Sequence, residues 1–179
     1  MLGTRSHSHK VRKAVVEDAE QVATLGVHVF TTSFGHTVTK EQLKSFLDEA
    51  YSTAAIKNDI TNPDKDMLVA EDDNGTIVGF VLMNRASIEP CVEHLKPKIE
   101  LQRLYISIDH HGQGIAQALT REVEDSARKN DFKYMWLGVW ENNHRAQKVY
   151  KKLGYQRIGE HVFDIGGDLQ TDHIMWKTL

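Results

Sequence analysis

A chain of 179 residues, 40% hydrophobic and 26% charged, has the make-up of one soluble globular domain and is long enough to hold a core without disulfide or metal staples. Twenty-two basic residues against 25 acidic ones leave a net charge of −3, which excludes a generally basic nucleic-acid binder. A single cysteine, Cys91, excludes an intramolecular disulfide framework and a Cys-rich zinc site.

Residues 1–9 are polar and histidine-bearing, without the apolar centre of a signal peptide, and read as a disordered tail before a single domain over 10–179. No apolar run approaches a membrane span, so a cytoplasmic protein with no membrane or nucleic-acid partner is expected. A short strand is predicted at 11–14. Asp18 with Gln21 has capping-box spacing and opens a helix whose apolar stripe is Val22, Leu25, Gly26, Val29 and Phe30. Thr39 with Gln42 makes a second capping box, ahead of Leu43, Phe46, Leu47 and Ala50. Ser52 caps a third helix that stops before Asn62-Pro63. Phe30, Phe34, Phe46 and Tyr51 are expected mostly in the core.

The pattern then changes to strands at 67–71 and 76–83, joined by Asp72-Asp73-Asn74-Gly75 as a hairpin. A central strand at 99–108, a glycine turn, a helix over 116–130, a strand at 134–139 and a helix over 143–153 closed by Gly154 follow. Two last strands, 157–163 and 171–177, flank a turn at Gly166-Gly167. This order predicts an α/β fold: a mixed sheet with helices on both faces, not a regular βαβ array.

Two segments carry chemistry. From Leu104 to Ala116 the chain passes from strand through Gly112 and Gly114 into a helix, so backbone amides at a helix start can face an anion. A dinucleotide fingerprint would need glycine where Gln117 stands, and a P-loop would need Gly-Lys-Ser/Thr. Otherwise the turn is a tight strand–helix connection. In the second segment Asn143, Ala146 and Tyr150 share one helix face: an amide, a small residue and a phenol. The same spacing also suits an ordinary capped amphipathic helix.

Together the two segments resemble the GNAT acyltransferases. The likeness lies in His111–Ala116 against R/Q-x-x-G-x-G/A and in Asn143–Tyr155 against N-x-x-A-x-x-x-Y-x-x-x-G-[FY], with Glu100–Ile106 ahead of them. More narrowly, residues 136–141, Phe163 with 166–168, and the ending 170–179 resemble the bacillar polyamine-acetylating branch that negatively regulates sporulation and protease synthesis. The resemblance implies a mostly antiparallel, twisted sheet of about seven strands, split in a V between the fourth and fifth. It implies acetyl-CoA as cosubstrate, no metal, a small amine acceptor, spermidine or spermine first, and admits a homodimer.

Residue by residue, it implies that Leu104, Tyr105 and Ile106 pair with the pantetheine arm. The turn His111, Gly112, Gln113, Gly114, Ile115, Ala116 and Gln117 would hold the pyrophosphate. Asn143 and Ala146 would flank the arm, and Tyr150 would protonate the leaving thiolate. A phenol is protonated at neutral pH and can serve as that acid. Glu100, on the strand face of Gln102 and Leu104, is the candidate base, or else a solvated strand end. Phe34 and Trp140 would line the acceptor pocket, with Glu89, Glu93, Asp168 and Asp172 placed to face a polycation. His111 departs from the family's Arg or Gln and gives the phosphates less dependable charge. A CoA-binding module without turnover, or an acetyltransferase of amino acids, aminoglycosides or protein N-termini, are the alternatives.

Overall fold

Asp18 and Gln21, expected to cap the first helix together, are used elsewhere in the computed structural model, which describes residues 9–165 and 168–179. The Asp18 carboxylate takes both arms of the Arg12 guanidinium at 2.7 and 2.8 Å and the Val15 amide at 2.8 Å. A bidentate charged pair outcompetes a single capping bond, and it holds the Asp18 carboxyl below its usual range. The Gln21 side chain instead accepts from the Ile77 amide at 3.1 Å. The other two caps form as predicted. Thr39 and Gln42 exchange side-chain and backbone bonds of 3.2 and 2.8 Å, and Ser52 accepts from the Ala55 amide at 3.2 Å.

The elements are β1 (Lys10–Lys13), α1 (Ala19–Phe34), α2 (Lys40–Ala50), α3 (Thr53–Thr61), β2 (Lys65–Glu71), β3 (Ile77–Asn84), β4 (Lys98–Ile106), α4 (Ile115–Lys129), β5 (Tyr134–Trp140), α5 (His144–Lys152), β6 (Gln156–Ile165) and β7 (Asp168–Thr178). The strands make one mixed sheet in the order β1-β2-β3-β4-β5-β7-β6, with helices around it, as the sequence predicts. The β1–β2, β5–β7 and β6–β7 pairs are antiparallel. β4 and β5 pair in parallel over Lys98–Glu100 and Tyr134–Trp136, while β4 runs on to Ile106 and β5 to Trp140. The tail before His9 and the Gly166-Gly167 turn lie outside the described residues.

The chain divides into two compact units. Of the described residues, the first comprises His9–Leu82 and Arg103–Val123. Its core gathers Val22, Leu25 and Val29 of α1 with Ile56, Met67, Val69, Phe80 and Leu82. Of the four aromatics expected inside, only Tyr51 is fully buried; Phe46 is 38% exposed and stacks on Phe30 at 4.4 Å. The reason lies in α2, whose residues include none that is fully buried, so its apolar stripe covers α1 from outside instead of entering the core.

Tyr51 is fastened at both its hydroxyl and its ring. Its hydroxyl bonds that of Tyr105 at 2.6 Å, Arg103 lies over its ring at 4.8 Å, and Arg103 in turn donates to Asp59 at 2.9 Å. Burial raises the Tyr51 phenol above its ordinary pKa. Gly26 exists because of this ring: a Cβ there would lie 2.3 Å from Tyr51 Cδ1. Gly26→Ala is therefore expected to destabilise. Overpacking costs about 1–3 kcal/mol, of which alanine's better helix propensity returns roughly 1 kcal/mol. A lower urea midpoint with unchanged slope is the measurement.

The second unit comprises Met83–Gln102 and Glu124–Leu179. One face of its strands packs Trp136 and Ile174 against Val92 and Leu95, with Tyr134, Ile158 and Trp176 at the margin.

Candidate active site

In the first unit, β4 ends at Ile106 and the Ser107 amide donates to Val78 O at 2.8 Å, anchoring the strand's exit to β3. After a 3-10 turn over Ile108–His110, Gly112 and Gly114 both take left-handed backbone, φ +80° and +81°, and α4 begins at Ile115. That region penalises any residue with a Cβ. A Cβ on Gly112 would meet nothing within 4 Å, and one on Gly114 only Gln117 Oε1 at 3.6 Å. The glycines thus serve both the bend and the open space over it. A phosphate approaching these amides at the start of a 15-residue helix meets no side chain at either glycine, so the turn fits the pyrophosphate of acetyl-CoA.

The residues around the turn are arranged in detail. Ile115 is buried and fixes the helix start, while Ala116 is half-buried and Gln117 exposed. The His111 imidazole folds back, its Nε2–H donating to the Ile106 carbonyl at 3.2 Å. Gln113 meets His9 Nε2 at 3.2 Å, and His110 Nδ1 meets Ser107 Oγ at 3.2 Å. Leu104, Tyr105 and Ile106 are half-buried, Tyr105 bonded to Tyr51 as described. Phe34, also in this unit, stands at the end of α1 with its ring 5.0 Å from Phe30.

In the second unit, Asn143 is the N-cap of α5: its Oδ1 accepts from the Ala146 amide at 3.1 Å, which leaves the Nδ2 hydrogens as the donors a ligand would meet. Gln147, not singled out in the sequence, ties the β5–α5 turn by donating to the carbonyls of Trp140 and Glu141 at 3.1 and 2.7 Å. Tyr150 is half-buried and meets Tyr155 edge-on at 5.7 Å. Burial, and then the Glu124 carboxylate, hold the Tyr155 phenol well above its ordinary pKa. Trp140 donates from Nε1 to Gln170 Oε1 at 2.8 Å, so its indole is held across to β7.

The same unit carries the carboxylates. Glu100 stands opposite Trp136 in the parallel ladder and accepts from the Ser87 hydroxyl. Glu89, nearly fully buried, accepts from Cys91 and is 2.9 Å from His161 Nδ1. Burial first, then Glu89, push the Cys91 thiol up to about 11, so this cysteine is protonated at neutral pH. Asp172 stands opposite Trp140 on β5 and His161 on β6. Glu93 is taken by Lys96 and Lys98 at 3.4 and 3.7 Å, and the Asp168 side chain lies outside what is described. Among the described residues no group of three or more His, Cys, Asp or Glu is placed to hold a metal, and no helix is long and apolar enough to cross a membrane.

A mixed sheet with a parallel β4–β5 pair, a glycine turn opening a helix after β4 and an Asn-capped helix after β5 define an α/β protein whose turn after β4 is open to a phosphate. Comparison with known proteins gives the family. Residues 30–155 match the model of the acetyltransferase (GNAT) family. An uncharacterized N-acetyltransferase of Mycobacterium tuberculosis is 31% identical over 162 residues, 90% of this chain and 98% of that protein. Another, from Lactobacillus delbrueckii subsp. lactis, is 26% identical over 95% of this chain and 97% of its own length. The crystal structure of PaiA N-acetyltransferase from Thermoplasma acidophilum in complex with coenzyme A superposes with a TM-score of 0.76, at 25% identity, over 96% of this chain and 99% of that one. The chain belongs to the GNAT family and is an N-acetyltransferase with acetyl-CoA as its cosubstrate.

Proposed function

We propose that residues 10–179 act as one N-acetyltransferase domain that moves the acetyl group of acetyl-CoA directly to a primary amine, a polyamine such as spermidine or spermine, within a ternary complex. The observation that carries the cosubstrate half is the glycine turn, with two left-handed glycines open to solvent at a helix start. In the first unit the amides from His111 to Gln117 hold the pyrophosphate, and the backbone of Leu104, Tyr105 and Ile106 pairs with the pantetheine arm. In the second, Asn143 donates to that arm, Ala146 leaves room beside it, and the Tyr150 hydroxyl protonates the thiolate as the C–S bond breaks. A carboxylate takes the proton of the acceptor ammonium, and Glu100 is the one that strand alternation singles out. Phe34 and Trp140 line the acceptor's path.

The polycation half rests on charge. Glu100 and Asp172 belong to the unit that carries Trp140, and a cationic acceptor gains from carboxylates near its path. The test is release of CoA thiol from acetyl-CoA with spermidine, spermine, glycine, an aminoglycoside and an alanine-starting peptide. Spermidine is expected to be turned over fastest, and its advantage to shrink between about 50 mM and 500 mM salt as the Debye length shortens. A salt-independent preference for glycine or the peptide would replace the polyamine by that acceptor.

A further inference from the structure

Two carboxylates of the second unit sit on the face of β5 that carries Trp136, Gly138 and Trp140, and they are differently placed. Glu100, opposite Trp136, is engaged by the Ser87 hydroxyl. Asp172 is opposite Trp140, two register pairs from the exposed Gly138 and therefore on the same face of the sheet. Its Oδ2 lies 3.1 Å from where a Gly138 Cβ would stand, so the carboxylate occupies the space that this glycine leaves open. Among the described residues no hydrogen bond or ion pair engages the Asp172 carboxylate.

The charged surroundings of Asp172 are few. From β6 comes His161, directly opposite, itself held by Glu89 of the Pro90 turn; from β4 comes Glu100; β5 brings only Trp136, Gly138 and Trp140. Burial pushes the Asp172 carboxyl up to about 6, and His161 opposes that shift. A base of that strength is ionised at neutral pH yet holds a proton more firmly than an ordinary aspartate. A carboxylate left half-buried without a donor is stabilised by an arriving ammonium.

Resting on the N-acetyltransferase reading, we propose that Asp172, rather than Glu100, accepts the proton of the acceptor amine. The ammonium R–NH3+ gives one proton to the Asp172 carboxylate and becomes R–NH2. The freed lone pair forms the N–C bond to the acetyl carbonyl, the C–S bond breaks, and the thiolate takes the Tyr150 hydroxyl proton; the nitrogen gives up its second proton as the amide forms, which restores the phenol, and Asp172 returns its own proton to water. Gly138 is part of the device, since any side chain there displaces the carboxylate.

The experiment is the pH profile of kcat/KM for spermidine between pH 5 and 9.5, with acetyl-CoA saturating, in the wild type, Asp172→Asn and Glu100→Gln. The wild type is expected to show an acid limb with a midpoint near pH 6. Asp172→Asn should lose about 10²-fold or more at pH 7, and its rate should climb with pH toward the wild type as the free amine supplies itself. Glu100→Gln should keep the limb at whatever rate it retains. A wild-type profile without a group near pH 6, an Asp172→Asn loss equal at every pH, or a limb abolished by Glu100→Gln instead overturns the assignment. Absence of thiol release with every amine in the panel overturns the enzymatic reading itself, and the inference with it.

A second readout needs no turnover. With the native pKa above that of the unfolded chain, the native state binds the extra proton between about pH 4 and 6. Stability from Asp172 is therefore lost as pH rises through that window. Asp172→Asn cannot ionise, so its melting temperature should gain on the wild type from pH 4 to pH 7. A constant difference would mean that the carboxylate is not held as described.

Discussion

Tyr150→Phe is expected to lower kcat by about 10²–10⁴-fold, the range for loss of a positioned general acid, while the rise in melting temperature on adding CoA stays as in the wild type. The substitution keeps the ring, so the edge-on contact with Tyr155 at 5.7 Å and the packing of α5 survive. Only the hydroxyl proposed to protonate the thiolate is removed. Stopped-flow thiol release together with a CoA melting titration separates the two effects. A near-normal kcat would make Tyr150 a packing group. A lost CoA shift would move it into cosubstrate binding.

Gly114→Trp is expected to abolish the CoA-induced rise in melting temperature altogether. A ligand at 100 times its Kd stabilises the native state by about 2.7 kcal/mol, and that whole increment should vanish. The substitution also strains the fold by about 1–2 kcal/mol, because φ at this position is +81°. Gly114→Ala separates the contributions: it carries the same backbone strain but leaves most of the space over the turn. The alanine variant should therefore melt lower without CoA yet keep much of the shift. Retention of the full shift by Gly114→Trp would show that the phosphates do not approach this glycine.

What made the fold legible is mostly short-range. The Thr39–Gln42 and Ser52 caps, the Asp72–Gly75 turn and the glycine closing α5 are set by residues within four positions of one another, and they formed as read. The β-rich runs 99–108 and 134–139 likewise sufficed to find β4 and β5, although β4 leaves the sheet after Ile106 and Ile108–His110 turns as a 3-10 helix. Asp18 shows the limit. Its spacing to Gln21 is right for a cap, but Arg12 reaches it from β1 and Gln21 is drawn to Ile77, 56 residues away.

The candidate site divides along the same line. The sequence by itself determined the glycine turn, whose left-handed backbone only glycine adopts cheaply, and the Asn143–Ala146–Tyr150 helix face, whose spacing is that of the helix itself. Only the tertiary structure decided the surroundings of the carboxylates. That Glu89 meets His161 across 72 residues, that Ser87 occupies Glu100, and that Asp172 settles over Gly138 beside Trp140 all follow from how strands pair. Register is chosen by the packing of whole faces, and a slip of one residue would turn Asp172 to the opposite side of the sheet.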